Sequence, residues 1–150
     1  MNNFTVRIHK LDLENVPGNI TGPVDKSAEF VRNAVRATLD AERKPPACDM
    51  SVIFTSDKYI AKLNQRYLEK NQPTDILCFP YSGKPPFKCD MFISIESSYR
   101  QSGEYKHTHQ EEITFLVIHG ILHLLGWRDD KDEPRKRMLK RQEEILKLIH

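Results

Sequence analysis

Apolar and polar side chains alternate at the start of the chain, where Phe4, Val6 and Ile8 predict a β-strand. Three further strands are predicted at short apolar runs, over residues 50–54, 76–79 and 91–95. Pro80 ends the third strand, and residues 81–88, which are rich in proline, glycine and lysine, are predicted to form a loop.

Apolar residues three and four positions apart predict helices between these strands. The first predicted helix covers residues 25–42, and Pro45 and Pro46 stop it because proline lacks the backbone N–H that a helix needs. Residues 11–24, with two glycines and two prolines, precede it as a predicted loop. A second helix follows Ser56, a residue type that caps helices. Its apolar side is predicted to consist of Ile60, Leu63, Tyr67 and Leu68.

A third helix, over residues 109–125, has the strongest signals in the chain. Thr108 and Glu111 form a T-x-x-E capping box in front of an apolar run. Gly126 is the residue type that most often takes the left-handed conformation just past a helix end. Both ends of this helix are therefore predicted from local sequence.

The last predicted helix covers residues 135–149 and follows a charged turn at 131–134. Its inward-facing residues are predicted to be Met138, Leu139, Ile145, Leu146 and Ile149. Together the elements predict an α+β fold of α/β-like type, with a small mixed four-stranded sheet covered by helices. Residues 1–150 are expected to form a single compact domain, whose strand order the pattern does not determine.

Composition supports one ordinary globular domain. The chain has 150 residues, of which 39% are hydrophobic, and this is enough for a single core. A net charge of +2 is too small to indicate an obligate nucleic-acid binder by charge alone. Three cysteines without C-x-x-C spacing argue against a disulfide scaffold or a cysteine-rich zinc ribbon. With neither a signal-peptide pattern nor a membrane-length apolar run, we expect a cytoplasmic protein without a membrane partner.

Two histidines carry the clearest chemical signal. His119 and His123 are four residues apart, so a helix places both imidazoles on one face. A catalytic zinc ion needs a third protein ligand and one position left open for water. Asp129 supplies a carboxylate after the turn at Gly126. The sequence therefore predicts one zinc ion per chain at the end of the 109–125 helix, bound by these two histidines and this aspartate.

The pattern H-x-x-x-H-x-x-G-x-x-D shares its spacing with the metzincin protease pattern H-E-x-x-H-x-x-G-x-x-H. Gly120 stands where such proteases carry their general-base glutamate, which argues against protease chemistry. Asp130 is an alternative to Asp129 as third ligand if the register differs by one residue. Two imidazoles and a carboxylate also suit nickel and other divalent ions.

The segment from His119 to Asp129, HGILHLLGWRD, is similar to the motif H-G-x-L-H-L-L-G-Y-D-H of the YbeY family of endoribonucleases. Three earlier segments resemble the family motifs L-N-x-x-Y-R, P-T-D-V-L-S-F-P and G-D-I-x-I-S in the same order. They are Leu63-Asn64 with Tyr67, residues 73–80 and residues 89–94. The resemblance covers residues 50–130.

The resemblance implies a metalloprotein with a zinc-type site that cleaves single-stranded RNA. It further implies a role in ribosomal RNA maturation and ribosome quality control, with the small ribosomal subunit as partner. In such a site, zinc would activate water or act as a Lewis acid while the ribose 2′-OH attacks.

Three positions depart from the family pattern. Asp129 replaces the third histidine, and Arg128 replaces the aspartate before it. Leu68 replaces an arginine that the family uses toward the substrate phosphate or in catalysis. Arg128 is beside the predicted ligands and is a candidate to bind a phosphate instead.

Glu112 and Arg128 are the candidate catalytic residues. Glu112 matches an acid that the family often carries, two helical turns before His119, and it is a candidate to orient a ligand histidine. His107 and His109 are two residues apart at the helix start, so they point to different faces and are predicted to be surface residues.

RNA binding is predicted at basic residues near the loop and the metal. Lys84 and Lys88 in the predicted loop and Arg128 are the candidates for phosphate contacts. The candidates for base stacking are Tyr81, Phe87 and Trp127.

Two alternative functions remain open. One is a ribosome-associated RNA-binding module with a structural metal, which the loss of the family arginine at Leu68 favours. A structural zinc site has four protein ligands, whereas the sequence offers three. The other is a zinc peptidase, which Gly120 disfavours.

Overall fold

Four strands form one mixed sheet in the computed structural model, which describes residues 4–43, 47–69, 74–82 and 84–149. The strands are β1 (Phe4–Lys10), β2 (Cys48–Thr55), β3 (Ile76–Pro80) and β4 (Phe87–Ser94). Their order is β1-β2-β4-β3, with the first three parallel and β3 antiparallel to β4. The predicted α+β class with a mixed four-stranded sheet is confirmed.

Helices cover the sheet. They are α1 (Gly18–Thr21), α2 (Ser27–Ala41), α3 (Asp57–Leu68), α4 (Ile95–Glu104), α5 (His109–Leu124) and α6 (Asp132–Ile149), with a 3-10 helix at Gly22–Lys26. α5 occupies the centre and packs against α2, α4, α6, β3 and β4. Within the described part of the chain, no helix is both long and apolar enough to span a membrane.

The helix-covered side of the sheet forms the core. Met50, Val52 and Phe54 of β2 and Met91 and Ile93 of β4 are fully buried in one apolar cluster. They alternate along their strands because successive side chains point to opposite faces. Among the helices, α5 contributes the most buried residues to this cluster, because other elements pack around it. Its buried apolar residues are Ile113, Leu116, Val117, Ile118, Ile121 and Leu122.

Both ends of α5 form as the sequence predicts. Thr108 Oγ1 accepts from the Glu111 N–H at 3.1 Å, and the Glu111 carboxylate accepts from the Thr108 N–H at 2.9 Å. At the other end Gly126 has a φ of 104°, and its N–H bonds to the His123 carbonyl at 3.0 Å. This left-handed residue ends the helix and turns the chain back beside it.

Several predicted boundaries are wrong. The predicted loop at 11–24 contains α1 and the start of the 3-10 helix, and α4 follows β4 directly where no helix was predicted. Lys88 lies in β4, not in the preceding loop. The predicted charged turn at 131–134 is largely the first turn of α6, where Pro134 is tolerated because first-turn N–H groups have no helical partner. Pro45 and Pro46 lie outside the described residues.

Two predicted helix faces also need correction. Tyr67 and Leu68 of α3 are 56% and 51% exposed, while Asn64 is buried beside Ile60. In α6, Leu139 is 46% exposed. The inward position one turn later is taken by a polar residue, Gln142, which is 4% exposed.

Gly120 lets α5 lie close to the sheet. A Cβ atom at this position would be 2.3 Å from Met91 Cε and 3.0 Å from Cys78 Sγ. Met91 is itself fully buried, so moving its side chain requires neighbouring core residues to shift. Close packing against Met91 and Cys78 therefore favours glycine at this position.

We predict that Gly120→Ala lowers the free energy of unfolding by about 1–2 kcal/mol, because overpacking a core outweighs the helix propensity gained by replacing glycine. Urea denaturation of the variant and the wild type measures this. Gly103→Ala in α4 is the matched control, since a Cβ there meets nothing within 4 Å. A stability gain at both positions would contradict the packing explanation.

Candidate metal centre

The structure brings His119, His123 and Asp129 together at the end of α5. The two imidazole rings lie one helical turn apart, with centroids separated by 4.6 Å. Asp129 Oδ2 lies 3.1 Å from His123 Nε2 and 3.6 Å from His119 Nε2. The turn at Gly126 makes this possible, because it reverses the chain immediately after the helix.

These distances suit ligands of one ion. Donors about 2.0 Å from a tetrahedral zinc are about 3.3 Å from one another, which lies between the two measured separations. The three side chains are partly exposed, so the fourth direction opens to solvent or substrate. Among the described residues, this is the one group of three or more histidine, cysteine or acidic side chains arranged to hold a metal ion.

Asp130 is turned away from the histidines. Its carboxylate accepts from the Arg128 guanidinium at 2.6 Å, and both side chains are largely exposed. The hydrogen bond to Arg128 holds the pKa of Asp130 below its usual range. The geometry therefore favours Asp129 over Asp130 as third ligand, and it places Arg128 in an ion pair.

Gln142 of α6 orients His119. Its Oε1 lies 3.2 Å from His119 Nδ1, and its Nε2 donates to the Phe115 carbonyl at 3.4 Å. Because the amide nitrogen has this acceptor, the amide oxygen faces the ring, accepts the Nδ1 proton and leaves Nε2 as the ligand atom. Burial lowers the pKa of His119, which favours the neutral form that metals bind.

Glu112, the candidate for this orienting role in the sequence, contacts His107 at 3.3 Å. The signal for Gln142 was present as a polar residue in the apolar stripe of α6, four residues after Met138 and three before Ile145. A polar side chain at such an inward position needs a hydrogen-bond partner. Here that partner is His119.

The chain matches a known protein family. A family model described as Endoribonuclease YbeY matches residues 13–150. A curated relative of that name from Pelotomaculum thermopropionicum is 34% identical over 143 residues, covering 89% of this chain and 93% of the relative. Another, from Picosynechococcus sp., is 40% identical over 118 residues, covering 70% of this chain and 72% of the relative. The chain belongs to the YbeY family.

A solved structure supports the fold of this YbeY-family chain. The solution structure of TM1509 from Thermotoga maritima aligns with a TM-score of 0.59 at 23% identity. The alignment covers 95% of this chain and 87% of that protein. The likeness therefore extends across the whole α+β architecture.

Leu68, which departs from the family motif, lies close to the histidines. It lines a pocket of about 420 Å³ together with His119, Gly120 and His123. The rest of the lining is apolar except for cysteine thiols: Ile76, Leu77, Cys78, Pro80, Cys89 and Leu124. Leucine leaves this part of the pocket wall without charge.

The predicted RNA-binding residues do not converge on the histidines. Lys84 is exposed in the loop before β4, and Lys88 points to the sheet face opposite α5, beside Asp49. Arg128 is paired with Asp130 and 71% exposed. None of the three basic residues lines either cavity that contains His119. Their role in RNA binding stays a prediction.

Two of the predicted stacking residues are held by other contacts. Trp127 packs against the core and donates its indole N–H to Glu42 at 2.6 Å. Phe87 is half-buried in β4 and packs against the same core. Tyr81 is exposed and hydrogen-bonded to Asp90.

Glu112 is buried in a second cavity, a cleft of about 430 Å³ that also contains His119, Asp129 and Gln142. It is 1% exposed and lies 3.3 Å from His107 Nδ1. Burial raises the pKa of Glu112 to about 7, although the contact with His107 acts in the opposite direction.

His107 and His109, which were predicted to be surface residues, are both partly buried. His107 is 24% exposed and contacts Glu112. His109 Nε2 lies 2.9 Å from Ser98 Oγ, and burial lowers the pKa of the ring. His109 is partly buried because α4, a helix that the sequence pattern did not predict, lies against the start of α5.

The raised pKa of Glu112 predicts a pH-dependent stability. Its carboxyl group ionises near pH 4.5 when unfolded and near pH 7 when folded, so folding favours the protonated form. The stability that follows is fully present below pH 4.5 and is lost as the pH rises toward 7. We expect wild type to lose roughly 3 kcal/mol relative to Glu112→Gln between pH 4.5 and pH 8.

Urea denaturation across this pH range measures the difference. His107 and Asp75 face the same carboxyl group and are unchanged in both proteins. Glu143→Gln, which removes an exposed acid from the same cleft, is the control. Parallel pH profiles for wild type and Glu112→Gln would contradict the prediction.

Proposed function

We propose that this chain is a zinc-dependent endoribonuclease that cleaves single-stranded RNA in ribosomal RNA maturation and ribosome quality control. The observation that carries the proposal is the convergence of His119, His123 and Asp129 at ligand distances. The reaction class comes from the relatives, which are named Endoribonuclease YbeY. In this proposal residues 1–150 form one catalytic domain that acts in the cytoplasm on the small ribosomal subunit.

The donor set suits phosphodiester cleavage. A zinc ion held there would lower the pKa of bound water and polarise a phosphoryl oxygen. The chain places two imidazole nitrogens and one carboxylate around the position of the ion. Gln142 fixes the orientation of the His119 ring. The cavities that meet at His119 give an RNA strand access to this position.

The attacking group is either water or the neighbouring ribose 2′-OH. Attack by the 2′-OH leaves a cyclic phosphate on one product, and attack by water does not. The chemistry of the product ends therefore distinguishes the two routes. No acidic side chain is positioned at Gly120, where zinc peptidases carry their base, and packing against Met91 explains why.

We predict that the untagged protein binds about one zinc ion per chain, since three ligands and an open position make a catalytic site. Elemental mass spectrometry measures the metal, and His123→Ala is expected to lose it. Asp129→Asn is expected to weaken binding strongly, because it removes the carboxylate that lies against both histidines. Asp130→Asn is the matched control and should keep its metal, since Asp130 pairs with Arg128.

Cleavage of a single-stranded RNA by the zinc-loaded protein is the companion assay. Zinc binding without cleavage would favour the alternative, a ribosome-associated RNA-binding module with a structural metal. Failure of wild type to bind added zinc would overturn the metal centre itself. Equal loss of metal in Asp129→Asn and Asp130→Asn would contradict the assignment of the third ligand.

We further predict that Leu68→Arg strengthens RNA cleavage, because it places a guanidinium in the wall beside His119 and His123. One added phosphate contact should raise kcat/KM about tenfold and steepen the dependence on log salt by about 0.7. Gln65→Arg, which adds the same charge at an exposed position of α3, is the control. Equal effects of the two substitutions would show that only net charge matters.

A further inference from the structure

The cleft beside the metal centre contains groups that the proposed reaction does not use. It lies between the end of α4, the first half of α5 and α6, and its volume is about 430 Å³. His119 and Asp129 line it, so it is continuous with the metal centre. Its other lining includes aromatic rings, of which that of Tyr105 is exposed, and the buried carboxyl group of Glu112.

Glu112 is too far from the metal centre to act on the attacking group. It precedes His119 by seven residues on α5, which is about 10.5 Å along a helix. A general base must approach the proton it removes to within about 3.2 Å. Glu112 is therefore placed to meet a part of the substrate away from the reacting phosphate.

Aromatic rings form a wall of the cleft. The centroids of His107 and Phe115 are 5.7 Å apart, and those of Tyr105 and His107 are 6.3 Å apart. Tyr105 is 61% exposed at the end of α4. Such rings bind unpaired bases by stacking, which is how single-stranded RNA is most often recognised.

The buried acid is suited to the edge of a base. Glu112 is 1% exposed, although its carboxyl group lines the cleft beside His107. Carboxyl groups accept hydrogen bonds from the amino groups of bases, and a protonated carboxyl group also donates one to a ring nitrogen or carbonyl oxygen. An apolar side chain would serve packing at this position better, since burying a carboxyl group costs free energy.

We propose that this cleft binds one unstacked nucleobase of the RNA, next to the phosphate at the metal centre. The base stacks on the Tyr105–His107–Phe115 wall and turns its edge toward Glu112. The proposal rests on the proposed function, because it assumes that the phosphate at His119 and Asp129 belongs to RNA.

The test is steady-state cleavage of single-stranded RNA hexamers by the zinc-loaded protein. Tyr105→Ala is expected to raise KM about 5- to 150-fold, which is the range for losing one base–aromatic stack. kcat, zinc content and the salt dependence should stay near wild-type values, because neither metal nor phosphate contact is lost. Tyr99→Ala is the matched control: Tyr99 is a partly exposed tyrosine of the same helix that does not line the cleft.

Glu112→Gln adds a readout that a purely structural role would not move. The substitution keeps the shape and exchanges one oxygen for an amide donor, so the preference among hexamers differing in one base beside the cut should change. Equal KM values for the Tyr105→Ala and Tyr99→Ala variants, with wild type still cleaving RNA, would overturn the nucleobase cleft alone. A wild-type protein that binds zinc but does not cleave would overturn it together with the nuclease function.

Discussion

The close approach of α5 to β4 at Gly120 is the contact on which the rest of the site depends. A Cβ atom there would be 2.3 Å from Met91 Cε, so any larger residue requires the Met91 side chain to move or the helix to shift away from the sheet. His119 and His123 lie within one helical turn of Gly120. The distance between α5 and the sheet therefore determines where both imidazoles are held. The same distance between helix and sheet leaves space for the two cavities that His119 lines.

The part of the site that could be predicted from the sequence is the part formed by residues close to one another in the chain. Two histidines four residues apart share a helix face whatever surrounds the helix, and Gly126 turns the chain back by its own conformational freedom. Together they bring Asp129 beside the rings without help from distant residues. The four strands and the long helices were predictable for the same reason, because their apolar periodicity is continuous.

Residues that depend on packing between distant elements were not predictable in this way. Gln142 reaches His119 because α6 folds back across α5, and a helical pattern does not show which helix it will contact. Glu112 and His119 share a face of α5, but the turn before α5 supplies the partner of Glu112, and α6 supplies that of His119. Lys88 was assigned to a loop because the apolar run of β4 is short, whereas pairing with β2 extends the strand to Phe87.

Charge at the metal centre depends on which of two adjacent aspartates faces it. A dication bound by two neutral imidazoles and one carboxylate keeps about one net positive charge, which attracts phosphate. A second carboxylate at the same point would cancel that charge and weaken the attraction. Arg128 donates to the Asp130 carboxylate at 2.6 Å, and this ion pair engages the second carboxylate. An exposed ion pair contributes little to stability, so the importance of Arg128 here lies in this placement. In the proposed metal site, Arg128 and Asp129, which both depart from the family pattern, would therefore act together, because a site with one carboxylate ligand gains from excluding another.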